Sequence, residues 1–197
     1  MPPLSAIESR LNSFRGICAA DSGLETARAW DVYPSLIVGD MDSITRPELI
    51  REYPEARTVI VAREKDETDT ELGLRLLFEE GYRKILLAGG GGGRLDHLLA
   101  IRALFERPHR PREWWTARER VVLADGPFEV ALPRGTIVSV FPLSPGARGM
   151  RSSGLKWPLD GLVWSAGECG VSNEATGGTV RIEPGVGDLL VVLPLGY

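Results

Sequence analysis

Two aspartates separated by one residue follow an apolar run in the first quarter of the chain. The sequence from Ile37 to Ser43 reads Ile-Val-Gly-Asp-Met-Asp-Ser, so Asp40 and Asp42 come directly after a predicted strand. Ligands of open α/β sheets bind at the carboxyl ends of the strands, and Mg²⁺ prefers one or two carboxylates together with waters and phosphates. The pair therefore predicts a metal site, although aspartates at this spacing also occur in ordinary surface turns.

A second charged group lies at a predicted strand-to-helix junction, in the segment Lys-Asp-Glu-Thr-Asp at 65–69. Thr68 and Glu71 have the spacing of a capping box, and Asp69 falls in the first helical turn, where the dipole favours a carboxylate. Asp69 either completes the start of this helix or provides a third metal carboxylate at the same sheet edge. In the second case Lys65 could reach a phosphate.

Five consecutive glycines at 89–93 lead into Arg94-Leu95-Asp96-His97 and then into an apolar helix. A glycine-rich turn before a helix allows close approach of a ligand and presents N–H groups to phosphate. The segment is neither a Walker A motif nor a dinucleotide fingerprint. Arg94 offers a planar fork for phosphate, whereas Asp96 and His97 are equally compatible with ligand contact and with structural roles.

The C-terminal part contains side chains suited to a flat heterocyclic ligand. Lys156 stands beside Trp157 in a turn-rich segment, and the indole face attracts a cationic ring. Ser172 and Asn173 offer hydroxyl and amide groups that could recognise ring nitrogens. A tryptophan that closes the end of a barrel, and a plain turn, are the respective structural alternatives.

These residues belong to two parts of the chain with different patterns. Up to about Arg112, apolar runs alternate with helical patterns, which predicts a mostly parallel, Rossmann-like α/β sheet. Beyond Trp115 the pattern is one of short strands broken by Gly and Pro, as in an all-β sandwich or barrel. We therefore predict an α/β domain at 1–112 and an all-β domain at 113–197. Strands are predicted at 16–20, 35–38, 58–62, 84–88, 121–124, 128–132, 136–142, 161–165, 179–183 and 188–193, and helices at 22–29 and 72–78.

Composition is that of an ordinary soluble globular protein. The 197 residues include 43% hydrophobic and 25% charged residues with a formal net charge of −4, which provides no basic surface for nucleic acid or an anionic membrane. Cys18 and Cys169 support neither a disulfide framework nor a zinc site. There is no visible signal peptide and no apolar run near the ~20 residues of a membrane span, so we expect a cytoplasmic protein.

The motifs together resemble those of the thiamine pyrophosphokinase family, in the same order along nearly the whole chain. The matching blocks are Ala-Asp-Ser-Gly at 20–23, Gly-Asp-Met-Asp-Ser at 39–43, Lys-Asp-x-Thr-Asp at 65–69, Gly-Gly-Arg-x-Asp-His at 92–97, Ser-Gly-Leu-Lys-Trp-Pro-Leu at 153–159 and Ser-Asn at 172–173. The resemblance implies a catalytic domain for ATP and Mg²⁺, a β-sandwich for thiamine, and a homodimer with active sites at the subunit interface. The implied reaction transfers the pyrophosphoryl group of ATP to the thiamine hydroxyl, giving thiamine diphosphate and AMP.

The resemblance also implies roles for individual residues. Asp40, Asp42 and Asp69 would hold Mg²⁺, and Asp21 and Asp96 are unranked candidates for the proton acceptor. Asp96 resembles the family residue that reaches thiamine. The implied contacts to ATP and thiamine are Ser43, Lys65, Gly92, Gly93, Arg94, His97, Lys156, Trp157, Ser172 and Asn173.

Two features depart from the family pattern. Ser22 stands where the family usually has glycine, and no hydrophobic strand ending in Asn-Gly precedes Gly16. The second departure predicts either a sheet shorter by one strand or a start that lies upstream. Two other functions stay open: a non-catalytic sensor of thiamine or nucleotide with the same fold, and another Mg²⁺-dependent phosphohydrolase or nucleotidyl enzyme.

Overall fold

The computed structural model describes residues 1–42, 44–90 and 92–196. Ser43, a predicted ligand contact, and Gly91 of the glycine run lie outside the described residues. The fold divides into two compact units: unit 1 comprises Met1–Ile85 with Pro108–Arg110, and unit 2 comprises Leu86–Arg107 with Pro111–Tyr197. The predicted domain division at residue 112 stays a prediction. In the described ranges, no helix is long and apolar enough to cross a membrane.

Unit 1 contains a three-stranded parallel sheet in the order β1–β2–β3. Its elements are α1 (Leu4–Leu11), β1 (Cys18–Ala20), α2 (Gly23–Ala29), β2 (Leu36–Gly39), a 3₁₀ helix (Pro47–Glu52), β3 (Arg57–Ile60) and α3 (Asp69–Glu79). All four residues of β2 are buried, as expected for a parallel strand with both faces covered. The strands and helices predicted in this part are therefore present, with ends shifted by a few residues.

Helix α1 was not predicted from the sequence. Pro3 occupies its N-cap position, where it has no side-chain hydrogen-bonding group, and Ile7 is its one buried residue among those described. Helix starts are recognised in sequence by Ser, Thr, Asp or Asn caps and by a repeated apolar face. Both signals are weak here, so the polar N-terminal residues gave no indication of a helix.

Unit 2 is built mainly of antiparallel strands. A six-stranded sheet has the order β12–β8–β14–β6–β5–β4, a three-stranded sheet has the order β10–β13–β7, and β9 pairs with β11. The elements are β4 (Leu86–Ala88), α4 (Leu95–Leu104), β5 (Glu113–Trp115), β6 (Glu119–Ala124), β7 (Phe128–Leu132), β8 (Ile137–Pro142), β9 (Ala147–Arg148), β10 (Arg151–Ser153), β11 (Val163–Trp164), β12 (Gly170–Glu174), β13 (Gly178–Glu183) and β14 (Leu189–Pro194).

The larger core lies between the two main sheets of unit 2. Val140 and Val191 come from the six-stranded sheet and Val180 and Ile182 from the three-stranded sheet, and all four are buried in one apolar cluster. Two sheets that bury their facing sides against each other form a sandwich. Within the described residues they do not close into a barrel. The predicted fold class, an α/β part followed by a β-sandwich, is confirmed.

Strand β4 belongs to the six-stranded sheet, although the sequence places it at the end of the alternating α/β pattern. It pairs in parallel with β5. The Trp114 indole Nε1 donates to the carbonyl oxygen of Gly89 at 2.7 Å, and the Gly89 N–H donates to the Trp115 carbonyl at 2.9 Å. These two hydrogen bonds fix the start of the glycine run against β5.

Candidate active site

The carboxyl ends of β1 and β2 approach each other closely at Gly39. A Cβ at this position would lie 3.3 Å from both the Cα and the backbone nitrogen of Asp21, and Gly39 has φ +142°. Asp21 adopts φ 48°, in the left-handed region, and its N–H donates to the Val38 carbonyl at 2.8 Å. Gly39 therefore lets the first residue after β1 lie against the last residue of β2.

Three carboxylates meet as a result. One oxygen from each of Asp21, Asp40 and Asp42 lies within 4.8 Å of the other two; we call these residues the acidic cluster. Asp40 Oδ1 accepts the Asp42 N–H at 3.1 Å. This hydrogen bond, aided by the charges of Lys65 and Arg63, lowers the pKa of Asp40 despite the opposing effect of burial. The Asp40 carboxylate is therefore held in its charged form.

Lys65 connects Asp40 to Asp69. Its Nζ lies 3.7 Å from Asp40 Oδ2 and 3.1 Å from Asp69 Oδ1, and all three side chains are at most 19% exposed. Burial lowers the pKa of Lys65, but the hydrogen bonds and charges of Asp69 and Asp40 outweigh it, so the pKa is raised. The ammonium group of Lys65 thus links Asp69 to Asp40 of the acidic cluster.

The start of α3 positions Asp69. Thr68 is the N-cap residue, and its Oγ1 accepts the Glu71 N–H at 3.2 Å, which confirms the predicted cap. Asp69 is the first residue of the helix. Sequence reasoning missed Arg63, whose exposed Nε lies 3.3 Å from Asp42 Oδ2; it stands in the irregular segment after β3, where no pattern marks it.

Gly90 and Gly93, in the described part of the glycine run, adopt backbone conformations that favour glycine. Gly90 has φ +66°, and a Cβ there would lie 2.2 Å from Ile101 Cδ1 on α4. Gly93 also lies in the left-handed region, at φ +112°. Among the described residues, a Cβ on Gly92 would meet no atom within 4 Å. The run therefore packs closely against α4 at one point and is open at another.

Arg94 and Asp96 pair with each other at the start of α4. Arg94 occupies the N-cap position, and its Nε donates to Asp96 Oδ1 at 3.1 Å. Both side chains are exposed, and the hydrogen bond from Arg94 lowers the pKa of Asp96. Asp96 Oδ1 also accepts the His97 N–H at 3.0 Å. The three predicted side chains of this block, those of Arg94, Asp96 and His97, thus form one exposed group.

The Asn173 side-chain amide holds the backbone of Trp157 through both its oxygen and its nitrogen. Its Oδ1 accepts the Trp157 N–H at 3.1 Å, and its Nδ2 donates to the Trp157 carbonyl at 2.6 Å. Oδ1 also accepts the Glu174 N–H at 2.8 Å. Asn173 is 6% exposed. The amide therefore fixes the backbone of the tryptophan, a role that residue type alone did not reveal.

The Trp157 side chain is 52% exposed. Lys156 Nζ lies 4.4 Å from the ring centroid and 3.0 Å from Glu174 Oε2, so Glu174 helps to hold the cation over the ring. Ser172 lies in the same strand, β12, at a break in its register with β8. It adopts φ 59°, and its N–H donates to Ser139 Oγ at 3.0 Å.

Two family models match the chain. The one described as "Thiamin pyrophosphokinase, catalytic domain" matches residues 7–113, and the one described as "Thiamin pyrophosphokinase, vitamin B1 binding domain" matches residues 128–187. The chain belongs to the thiamin pyrophosphokinase family. Its activity is that of a thiamin pyrophosphokinase, an ATP:thiamine diphosphotransferase, with ATP as the co-substrate. The function predicted from the sequence motifs is confirmed.

Solved structures agree with this family in fold. The thiamin pyrophosphokinase from Geobacillus thermodenitrificans is 25% identical, with a TM-score of 0.80 over 100% of this chain and 94% of that chain. A thiamin pyrophosphokinase family protein from Enterococcus faecalis is 21% identical, with a TM-score of 0.81 over 100% and 93%. The thiamin pyrophosphokinase from Candida albicans is 17% identical, with a TM-score of 0.74 over 96% and 84%. A search of curated protein sequences gave no significant match.

Proposed function

We propose that pyrophosphoryl transfer takes place at the carboxyl ends of β1 and β2 and that Mg²⁺ is bound there. The observation that carries this proposal is the acidic cluster, whose three carboxylate oxygens lie within 4.8 Å of one another. Carboxylate oxygens are the donors that Mg²⁺ prefers, so these residues fit the ion. Asp40 and Asp42 would hold it, with Asp69 as the third proposed ligand and Asp21 near enough to contribute. When bound, Mg²⁺ neutralises charge on the triphosphate.

Lys65 is our proposed contact to the triphosphate. Its ammonium group is kept charged between Asp40 and Asp69, and a preorganised cation stabilises the charge that develops on transferring phosphoryl oxygens. Arg94, with the backbone of Gly92 and Gly93, is our proposed second contact. The exposed Arg94 guanidinium donates from Nε and Nη2 to Asp96, which leaves its Nη1 donors for a phosphate.

The reaction also requires removal of one proton from thiamine. As the thiamine hydroxyl oxygen bonds to the β-phosphorus, the bond from that phosphorus to the oxygen of the departing AMP breaks, and the hydroxyl proton passes to a base. Asp21 and Asp96 are the candidate acceptors. Asp96 is charged and exposed beside Arg94, and Asp21 lies in the acidic cluster. We leave the two unranked.

Trp157 is our proposed platform for thiamine. Trp157 is half exposed, and because Lys156 lies over one face of the indole, a cationic ring such as a thiazolium would stack on the other face. Asn173 would act through the Trp157 backbone, while Ser172, Lys156 and His97 would line the site.

We also propose a cytoplasmic homodimer. Leu95 and Leu99 are exposed on α4 and would be covered by a second copy, so light scattering should detect particles of two chains.

The test of the metal proposal is the substitution Asp42→Asn, which keeps the backbone N–H that donates to Asp40. Incubation with ATP, Mg²⁺ and thiamine should yield thiamine-dependent AMP and thiamine diphosphate for the parent enzyme. The variant should lose at least about a hundredfold in turnover without loss of fold. The control is Asp31→Asn, because Asp31 is exposed with φ 53°, a conformation that Asn adopts readily. Normal turnover of Asp42→Asn would disprove the metal role.

A further inference from the structure

An ion pair in unit 1 ties the segment that carries Lys65 and Asp69 to helix α3. The Arg75 guanidinium donates from Nε to Glu67 Oε2 at 3.2 Å and from Nη2 to Glu67 Oε1 at 2.8 Å. Two parallel hydrogen bonds of this kind hold a carboxylate in one orientation more firmly than a single contact does. The pair joins the irregular segment before α3 to the second turn of that helix.

Glu67 lies midway between the two side chains that reach toward the acidic cluster. Lys65 precedes it by two residues and Asp69 follows it by two. Thr68 fixes the first turn of the helix through its cap, and Glu67 fixes the chain immediately before that turn. An irregular segment held in this way samples fewer conformations, so less entropy is lost when a ligand orders it.

Arg75 makes a second ion pair, with Glu79, that does not reach the segment. The Arg75 Nη1 lies 2.9 Å from Glu79 Oε1 within the same helix. Glu79 is 56% exposed, whereas Glu67 is 29% exposed. Exposed pairs four residues apart on a helix contribute little. The hydrogen bond from Arg75 also lowers the pKa of Glu67, so its carboxylate stays charged.

We propose that Glu67 and Arg75 are positioning residues that hold the 65–69 segment so that Lys65 and Asp69 are already placed for the triphosphate of ATP. The proposal rests on the role given to Lys65 and Asp69 under Proposed function. The block Lys-Asp-x-Thr-Asp does not specify residue 67, so the motif itself does not include this ion pair.

Limited proteolysis tests the positioning independently of catalysis. Lys65 lies within the segment and Arg63 just before it, and trypsin cleaves after both residue types when the chain opens locally. Glu67→Gln should speed native-state cleavage at these two sites about tenfold. Glu79→Gln, the matched control on the other side of Arg75, should leave the cleavage rate within about twofold. Equal cleavage of Glu67→Gln and the parent enzyme would overturn the proposal.

Steady-state kinetics then tests whether the positioning serves ATP. Glu67→Gln should raise KM for ATP about tenfold with kcat and KM for thiamine within about twofold, because a preset binding group contributes to ground-state affinity. Glu67→Gln, Arg75→Gln and the double variant should all show the same effect, since they remove one contact. The proposal would be overturned if the increases in KM for ATP multiplied in the double variant, or if KM for ATP and KM for thiamine rose equally.

The two readouts separate this inference from the proposed function. If Asp42→Asn turned over normally while Glu67→Gln still opened the segment to trypsin, the metal assignment would fail and the structural part of the positioning would stand. If Asp42→Asn were inactive and Glu67→Gln changed neither cleavage nor KM for ATP, the positioning would be refuted alone.

Discussion

Replacing Asn173 by Asp removes one hydrogen bond and puts a repulsive contact in its place. The Asn173 amide nitrogen donates to the Trp157 carbonyl at 2.6 Å, while its oxygen accepts from the N–H groups of Trp157 and Glu174. Asp has the same shape and keeps the two accepted hydrogen bonds. At the third contact, a carboxylate oxygen would face a carbonyl oxygen inside a site that is 6% exposed.

The expected loss in free energy of unfolding follows from this replacement of an N–H donor by an oxygen. Leaving a buried carbonyl without its donor costs about 1–3 kcal/mol, and we take about 2 kcal/mol for the carboxylate form. For a chain of this length, about 2 kcal/mol lowers the unfolding midpoint by roughly 4–8 °C. Because the displaced group is the Trp157 backbone, KM for thiamine should also rise, while KM for ATP should stay near the parent value.

The cost should depend on pH. A protonated carboxyl can donate to the Trp157 carbonyl as the amide does, so its pKa in the folded state should be raised above the ordinary value of about 3.9. The folded state then binds more protons between the unfolded and folded pKa values. The free energy of unfolding of Asn173→Asp should therefore be close to that of the parent at acid pH. It should fall below the parent value as pH rises through the folded pKa.

Thermal unfolding of the two proteins at several pH values between about 3.5 and 8 measures this difference, using buffers of equal ionic strength. The matched substitution Trp157→Ala removes the proposed platform but not the Asn173 amide, so it should raise KM for thiamine without the pH-dependent loss of stability. If Asn173→Asp unfolded at the parent temperature at neutral pH, the amide would not be holding the Trp157 backbone and this reasoning would be refuted.

Two further predictions concern close packing and burial. Gly90→Ala should lower the free energy of unfolding by about 1–2 kcal/mol through backbone strain at φ +66°, because the atom that its Cβ would meet at 2.2 Å, Ile101 Cδ1, is the end of a side chain that can turn away. Gly92→Ala, with no atom of the described residues within 4 Å of its Cβ, should change it by at most about 0.5 kcal/mol; equal denaturant midpoints for the two variants would contradict this. Burial raises the pKa of the Cys18 thiol to about 12, so alkylation at pH 8 should modify exposed Cys169 and spare Cys18 until denaturant is added. Mass spectrometry of the peptides decides the point, and equal labelling in the native protein would disprove it.

Local patterns in the sequence were sufficient for the main elements of the fold. The apolar run that forms β2 and the Thr68 cap of α3 are signals contained within a few residues, and both are confirmed. No strand was predicted at 170–174, where Ser172 and Asn173 were interpreted either as ligand contacts or as part of a plain turn, yet the segment forms β12 (Gly170–Glu174). Its pairing with β8 comes from the neighbouring strand, and contacts of that kind leave no periodic signal.

The same limit applies to the candidate site. Residue types indicated carboxylates for a metal and an amide for a heterocycle, but they did not indicate what each group contacts. Asn173 illustrates this: its amide suits a ring nitrogen by chemistry, yet the fold brings the Trp157 backbone to both of its polar atoms. The Glu67–Arg75 pair was missed because its partners are eight residues apart in the chain.

Gly39 shows how a short motif depends on a distant one. The block at 39–43 predicts a metal site from Asp40 and Asp42 alone, but the cluster gains its third carboxylate only because β1 ends against β2. A Cβ at position 39 would lie 3.3 Å from the backbone of Asp21 at φ +142°, so any other residue would strain the backbone there and displace Asp21 by a few tenths of an ångström. The absence of a side chain at Gly39 therefore lets Asp21 lie against the end of β2, where its carboxylate joins the acidic cluster.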